Sequence, residues 1–247
     1  MIFSFSFCIR DHYNVMEKRN NILTVIFGVI VVIELLGRLM DDIMLEYPVK
    51  PLIMVWITIY YLLNARKRSY RSLVLAAFFF SWTGDIFLMF SGGYEQEILF
   101  YAGVGGFFFA QIAYILVFLL STENDIKGLL LRNPLWIIPL AGYGVLIYLL
   151  LLPRLEGLMV YVILMYAVSL IGMSLAALNR RDRVSLKSFR MVFTGSLFFV
   201  VSDSMIAIDK FHTEIPHGGF LIMLTYITAQ YLMMRGLILE KEKPGSA

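Results

Sequence analysis

Apolar runs long enough to be read as membrane-spanning helices, about 17–24 residues each, recur eight times along this chain. They cover approximately residues 22–40, 48–63, 70–90, 97–120, 134–152, 157–179, 188–209 and 216–239. The second and fifth are short. Pro51 and Pro134 fit the first turn of their helices, and Pro139, inside the fifth run, is expected to kink it. Connections are short, so neighbouring helices are expected as antiparallel hairpins. The expected fold is an all-α, polytopic membrane helical bundle of eight transmembrane helices. Composition agrees: 60% of residues are hydrophobic and 16% charged, against about 45–50% and ~25% in soluble domains.

No polar stretch is long enough for a soluble domain. The reading is an N-terminal tail at 1–21, one membrane domain at 22–239 and a C-terminal tail at 240–247. Met16, followed by Glu-Lys-Arg-Asn and a strong apolar run, is the expected initiator; otherwise the first residues are a dispensable extension. The lone Cys8 excludes an intrachain disulfide and a cysteine-based metal site. No basic stripe with interleaved aromatics is present, which argues against nucleic acid.

Charge distribution orients the bundle. The 64–71 loop carries Arg66, Lys67, Arg68 and Arg71, and the 180–190 loop Arg180, Arg181, Arg183, Lys187 and Arg190. Lys18 and Arg19 precede the first span; Lys241 and Lys243 follow the last. The alternate loops hold Asp41, Asp42, Glu46, Glu95 and Glu97. Both termini are therefore expected in the cytoplasm.

Two aspartates interrupt the apolar runs, Asp85 in FFFSWTGDIFLMF and Asp203 in GSLFFVVSDSMIAIDKF. A charged residue at a bilayer centre costs at least ~2.5–3.5 kcal/mol, and such residues mark functional sites by default. Asp85 lies 14 residues beyond Arg71 and Asp203 lies 13 beyond Arg190, so each sits roughly 20 Å along a helix running the same way. Glu34 is 15 residues beyond Arg19 and shares that layer. Asp85 precedes Ala110-Gln111 by about the same interval as Asp203 precedes Ala229-Gln230. A parallel repeat of four-helix halves explains this; chance in a Phe-rich chain is the alternative.

Ser81 and Asp85 share a helix face, as do Ser196, Phe199 and Asp203, with Gly84, Gly195 and Ser202 beside them. Such small, polar surfaces face a bundle interior. The two aspartates are the candidate catalytic pair, one as acid and one as carboxylate. The alternative is a structural role, hydrogen-bonded to Ser, Tyr or Gln, or paired with Lys50 or Arg38. Candidate substrate contacts are Glu34, Lys50, Ser81, Gln111, Tyr114, Ser202, Tyr226 and Gln230. Each has a plainer explanation: an i,i+4 pair with Arg38 for Glu34, a snorkelling anchor at the helix opening for Lys50, interhelical glue for the rest. No metal motif is present; His212, Glu214 and His217 match none.

Lys50-Pro51, Ser81-x-x-Gly84-Asp85, Gly103-x-x-Gly106-Phe107 leading to Tyr114, and Gly195-x-x-Phe198-x-x-x-Ser202-Asp203-Ser204 with Ala207 and Phe211 together resemble the YhhN-like family, over about residues 22–239. These eight-span proteins include the lysoplasmalogenases. One departure is Gln111, where a His is expected. The resemblance implies hydrolysis of the vinyl ether bond of lysoplasmalogens to a fatty aldehyde and a glycerophospho-alcohol, without cofactor or metal. A vinyl ether is hydrolysed through an oxocarbenium ion, which two carboxyl groups suit, as in glycosidases. The implied partners are a lysophospholipid substrate and membrane lipids. The setting is a bacterial inner membrane, or the endoplasmic reticulum of a eukaryote. A proton-coupled lipid or small-molecule transporter using the same aspartates is the alternative; a scaffold explains the paired motifs least well.

Overall fold

The computed structural model describes residues 2–94, 97–122 and 126–240; for residues 2–15 and 92–94 it describes the backbone alone. Glu95, Lys241, Lys243 and the side chain of Cys8 lie outside the described residues. The helices are α1 (Ile2–Met40), α2 (Ile43–Asn64), α3 (Arg71–Tyr94), α4 (Glu97–Leu120), the short α5 (Leu129–Arg132), α6 (Ile137–Leu151), α7 (Met159–Leu178), α8 (Leu186–Phe211) and α9 (Gly218–Ile238). Eight segments are long and apolar enough to cross a membrane: Met16–Met40, Ile43–Asn64, Arg71–Ser91, Glu97–Leu120, Pro134–Arg154, Met159–Leu178, Leu186–Phe211 and Gly218–Ile238.

Local chemistry starts the helices. The Asp42 carboxylate accepts from the Met44 amide and caps α2, and the Ser185 hydroxyl does the same for α8 through Ser188. Because the cap lies at Asp42, α2 starts earlier than expected. Pro48 and Pro51 fall inside it rather than in its first turn, and each leaves a carbonyl one turn back without its helical partner. Lys50 consequently sits within the helix and not at its opening. Pro134 does open a helical turn, the 3₁₀ segment Pro134–Trp136, capped by Asn133. Pro139 falls in the first turn of α6, which runs on unbroken to Leu151. A first-turn amide has no intrahelical acceptor to lose, so no kink follows.

Two tight hairpins, α3–α4 and α8–α9, dominate the packing; α1 lies on α2 and α9, and α7 joins α4 to α8. Glycine permits the close approaches. A Cβ on Gly106 would lie 2.8 Å from the Gly84 backbone nitrogen, and one on Gly195 2.9 Å from the Ala229 carbonyl oxygen. The helix α6 stands at the edge against α7 and α8, with Ile138, Leu146 and Leu149 exposed, as is Leu135 in the turn before it. Val25, Val29 and Val32 of α1, and Val168 of α7, are exposed as well.

One end of the bundle gathers the cationic loops. Tyr70 donates to Glu240 at 2.7 Å, Arg68 to the Glu240 carbonyl at 3.2 Å, and buried Arg180 pairs with Glu240 at 3.5 Å. Burial and the Glu240 carboxylate hold the Tyr70 phenol above its usual range, so it remains a donor. Arg180 also donates to Ser188, whose hydroxyl donates to the Gly236 carbonyl. The two basic loops and residue 240 therefore share an end, as an even number of crossings between them requires.

Candidate functional site

Asp203 lies on α8, 5% exposed, at the junction with α4 and α7. Its Oδ2 accepts two hydrogen bonds, from the Tyr166 hydroxyl at 2.5 Å and from the Gln111 amide at 3.2 Å. The Ser169 hydroxyl donates to the Gln111 carbonyl oxygen, which turns the amide nitrogen toward Asp203. Oδ1 is buried without a hydrogen-bond partner. Tyr166 and Ser169 were not among the residues expected from sequence. Their signal was a Tyr-x-x-Ser pair on one face of an otherwise apolar span.

Asp85 lies on α3, 3% exposed, and accepts from the Tyr226 hydroxyl on α9 at 2.6 Å. Gln230, one turn from Tyr226, donates to Ser81 at 2.9 Å and to the Tyr226 oxygen at 3.4 Å, while its carbonyl accepts from Tyr114 at 2.5 Å. Five expected residues, Ser81, Asp85, Tyr114, Tyr226 and Gln230, thus form one buried network. Lys50 is 7% exposed and close enough to Asp85 to act on its charge, with no carboxylate within ion-pair distance among the described residues. It is a buried cation beside an aspartate, not a snorkelling anchor. Glu34, fully buried, pairs with Arg38 at 3.2 Å, and Arg38 reaches Glu46 at 2.9 Å. The Glu34 Oε2 has no partner. Ser202 stands apart: it donates to the Ile222 carbonyl at 3.1 Å and ties α8 to α9.

The networks cross between hairpins. Gln111 of the first hairpin serves Asp203 of the second, and Gln230 of the second serves Ser81 and Tyr226 beside Asp85 of the first. Gln111 and Tyr114, one turn apart on α4, connect the two sets. Phe107 packs at their centre, edge-on to Phe199 at 6.1 Å and to Tyr226 at 5.7 Å. Gly84 makes room for it: a Cβ there would lie 2.8 Å from the Phe107 ring. Asp203 lines a cleft of about 30 Å³ with Val104, Phe107, Tyr166, Ala207 and others. That is room for about one water. Asp85 lines neither this cleft nor the two larger ones, between Ala141 and Leu175 and between Met54 and Trp82. The carboxylates are neighbours, with Asp85 acting electrostatically on Asp203, but they do not face each other across that cleft.

Their surroundings differ in kind. Asp85 has a lysine nearby. Asp203 has neutral donors on one oxygen and leaves the other unused. Such a site can hold a carboxylic acid whose proton is not spent on the protein, next to a second carboxyl group.

Comparison with known proteins places these residues in a family frame. The YhhN family model matches residues 45–237, a segment that contains both networks. The chain is 32% identical over 167 residues to a bovine protein named lysoplasmalogenase TMEM86A, and 31% identical over 167 residues to its human counterpart. Each match covers 66% of this chain and 64% of the relative, so the chain spans just under two thirds of the length of the relatives it matches. No solved structure matches.

Proposed function

The chain belongs to the YhhN family, and from that premise we propose that it is an integral-membrane hydrolase cleaving the vinyl ether bond of lysoplasmalogens. One observation carries the reading: Asp203 accepts both its hydrogen bonds on Oδ2 and keeps Oδ1 unused, in a residue lining a cleft with room for a water. The relatives' name supplies the substrate class.

In this mechanism Asp203 is the acid, with its proton on Oδ1. It protonates the β-carbon of the vinyl ether, and the carbon bonded to oxygen becomes an oxocarbenium ion. Asp85, as a carboxylate beside Lys50, stabilises that cation through an apolar interior where charges are weakly screened. Water adds to the oxocarbenium carbon and gives its proton to the Asp203 carboxylate, which is thereby recharged. The hemiacetal then transfers its hydroxyl proton to the glycerol oxygen as the carbon–oxygen bond breaks, releasing aldehyde and alcohol. Tyr166 and Gln111 hold the Asp203 carboxyl in orientation throughout.

The test is to incubate purified protein with lysolipids bearing vinyl ether, alkyl ether and ester chains, measuring aldehyde and fatty acid separately. Aldehyde from the vinyl ether alone is expected. Release from no substrate, together with pH-gradient-driven lipid flux in proteoliposomes, would favour the transporter reading.

Gln111 in place of the expected His has a specific consequence. Its task here is to donate to Asp203, which a ring N–H also performs. Gln111→His is therefore expected to keep aldehyde release within roughly tenfold of the parent, whereas Gln111→Leu, lacking the donor, should lose at least that much. Equal rates for both variants would remove Gln111 from the mechanism.

A further inference from the structure

Much of the lining of the Asp203 cleft runs from Asp203 toward one end of the bundle. On α8, Asp203, Ala207 and Phe211 follow at four-residue steps and share a face; on α4, Phe107, Val104 and Phe100 share a face at steps of three and four in the opposite direction. The two rows end together. Phe100 and Phe211 meet edge-on with centroids 5.8 Å apart, in the first turn of α4 and at the last residue of α8. Over this pair lies Lys210, its Nζ 5.4 Å from the centre of the Phe100 ring. Lys210 is exposed and has no carboxylate within ion-pair distance among the described residues. Its neighbour Asp209 is occupied elsewhere, accepting from the Ile215 amide. Apolar side chains thus lie between the unused Oδ1 of a buried carboxyl and a cation without an ion-pair partner among the described residues, and two aromatic rings meet at the end of the rows.

We propose that the Phe100–Phe211 contact is the lid of the Asp203 cleft and that Lys210 receives the phosphate diester of an entering lysophospholipid. This rests on the hydrolase reading. The chemistry of the occupant is set at both ends: an acid-sensitive ether at Asp203 and an anion at Lys210. Seven residues of helix separate Asp203 from Lys210, a rise of roughly 10 Å. In a lysolipid only the glycerol backbone lies between ether oxygen and phosphate, and the flexible lysine stem closes much of the remaining gap. A cleft of about 30 Å³ holds no lipid segment, so the rings must part for substrate to enter. The cation–π contact is what Lys210 gives up to reach the phosphate.

The experiment compares two vinyl ether substrates, a 1-alkenyl glycerophosphocholine and a 1-alkenyl glycerol without phosphate. Lys210→Gln is expected to lower the ratio of their kcat/KM values about tenfold, mainly through KM, with Lys210→Arg restoring it. An unchanged ratio in Lys210→Gln overturns the assignment. Binding on the wild type is measured independently of cleavage, by thermal stabilisation with the uncleavable 1-O-alkyl glycerophosphocholine and with 1-O-alkyl glycerol. The phosphate-bearing probe should bind about tenfold more tightly; equal affinities overturn the proposal even if the variant fails to fold. Cleavage of neither substrate by the wild type sinks the hydrolase reading instead, and the binding comparison still decides whether a phosphate site exists.

Discussion

Asp203→Asn should reduce aldehyde release by about 10²–10⁴-fold, the usual contribution of a positioned general acid, while leaving the protein folded. The geometry makes this substitution clean. Tyr166 and Gln111 both donate to one carboxyl oxygen, and the asparagine carbonyl can accept the same two bonds. The amide nitrogen then occupies the place of the unpartnered Oδ1, where it has no proton acidic enough to give to carbon. Asp85→Asn should cost about 10²–10³-fold for a different reason, the loss of a nearby negative charge that stabilises the oxocarbenium ion. It also leaves Lys50 buried without its nearby carboxylate, so the melting temperature should fall in Asp85→Asn and hold in Asp203→Asn. Aldehyde release and thermal unfolding in detergent, measured together, separate the roles. Near-parental rates in both variants would end the aspartate mechanism.

Much of this arrangement was legible because a bilayer penalises polar groups. Eight apolar runs required eight helices, and Asp85 and Asp203 stood out as costs needing a partner. Tyr226, Gln230, Ser81 and Tyr114 could be picked out for the same reason, as polar atoms inside spans. What could not be read was the pairing. That Gln111 serves Asp203 and Gln230 serves the Asp85 side depends on which hairpin lies against which, and spacing along the chain carries no such information. Tyr166 was passed over because a tyrosine in a span is ordinary at an interface or in a core. Lys50 beside a proline, near the edge of an apolar run, has the look of an anchor; only the Asp42 cap, which starts α2 earlier, carries it inward. Spacing along the chain gave the two aspartates equal depth and nothing more. Depth says nothing of direction: one carboxylate turns toward α9, the other toward α4 and α7.

The second large effect concerns Gly106, through which fold and site depend on each other. A Cβ at this position would lie 2.8 Å from the Gly84 nitrogen, 3.0 Å from the Gly84 Cα and 3.1 Å from the Phe80 carbonyl oxygen. All three atoms are backbone, so no side chain can swing aside and α3 must move bodily away from α4. Gly106→Leu is expected to cost at least ~1–3 kcal/mol by overpacking, a large share of a marginal stability. Insertion of the spans should persist, since their apolarity is unchanged, while the folded, monodisperse fraction in detergent and the melting temperature fall sharply. Gly105 provides the control one residue away. A Cβ there meets nothing within 4 Å, so Gly105→Leu should be neutral or slightly stabilising, because glycine is a poor helix former. Activity should follow packing more steeply than stability does. Phe107 sits next to Gly106 and presses on Gly84, the residue before Asp85, so separating α3 from α4 displaces the ring between the two carboxylates. Residual folded Gly106→Leu protein should therefore release aldehyde more slowly per molecule than the parent. Full specific activity in that fraction would show that the Gly84–Gly106 contact supports the fold without positioning the site.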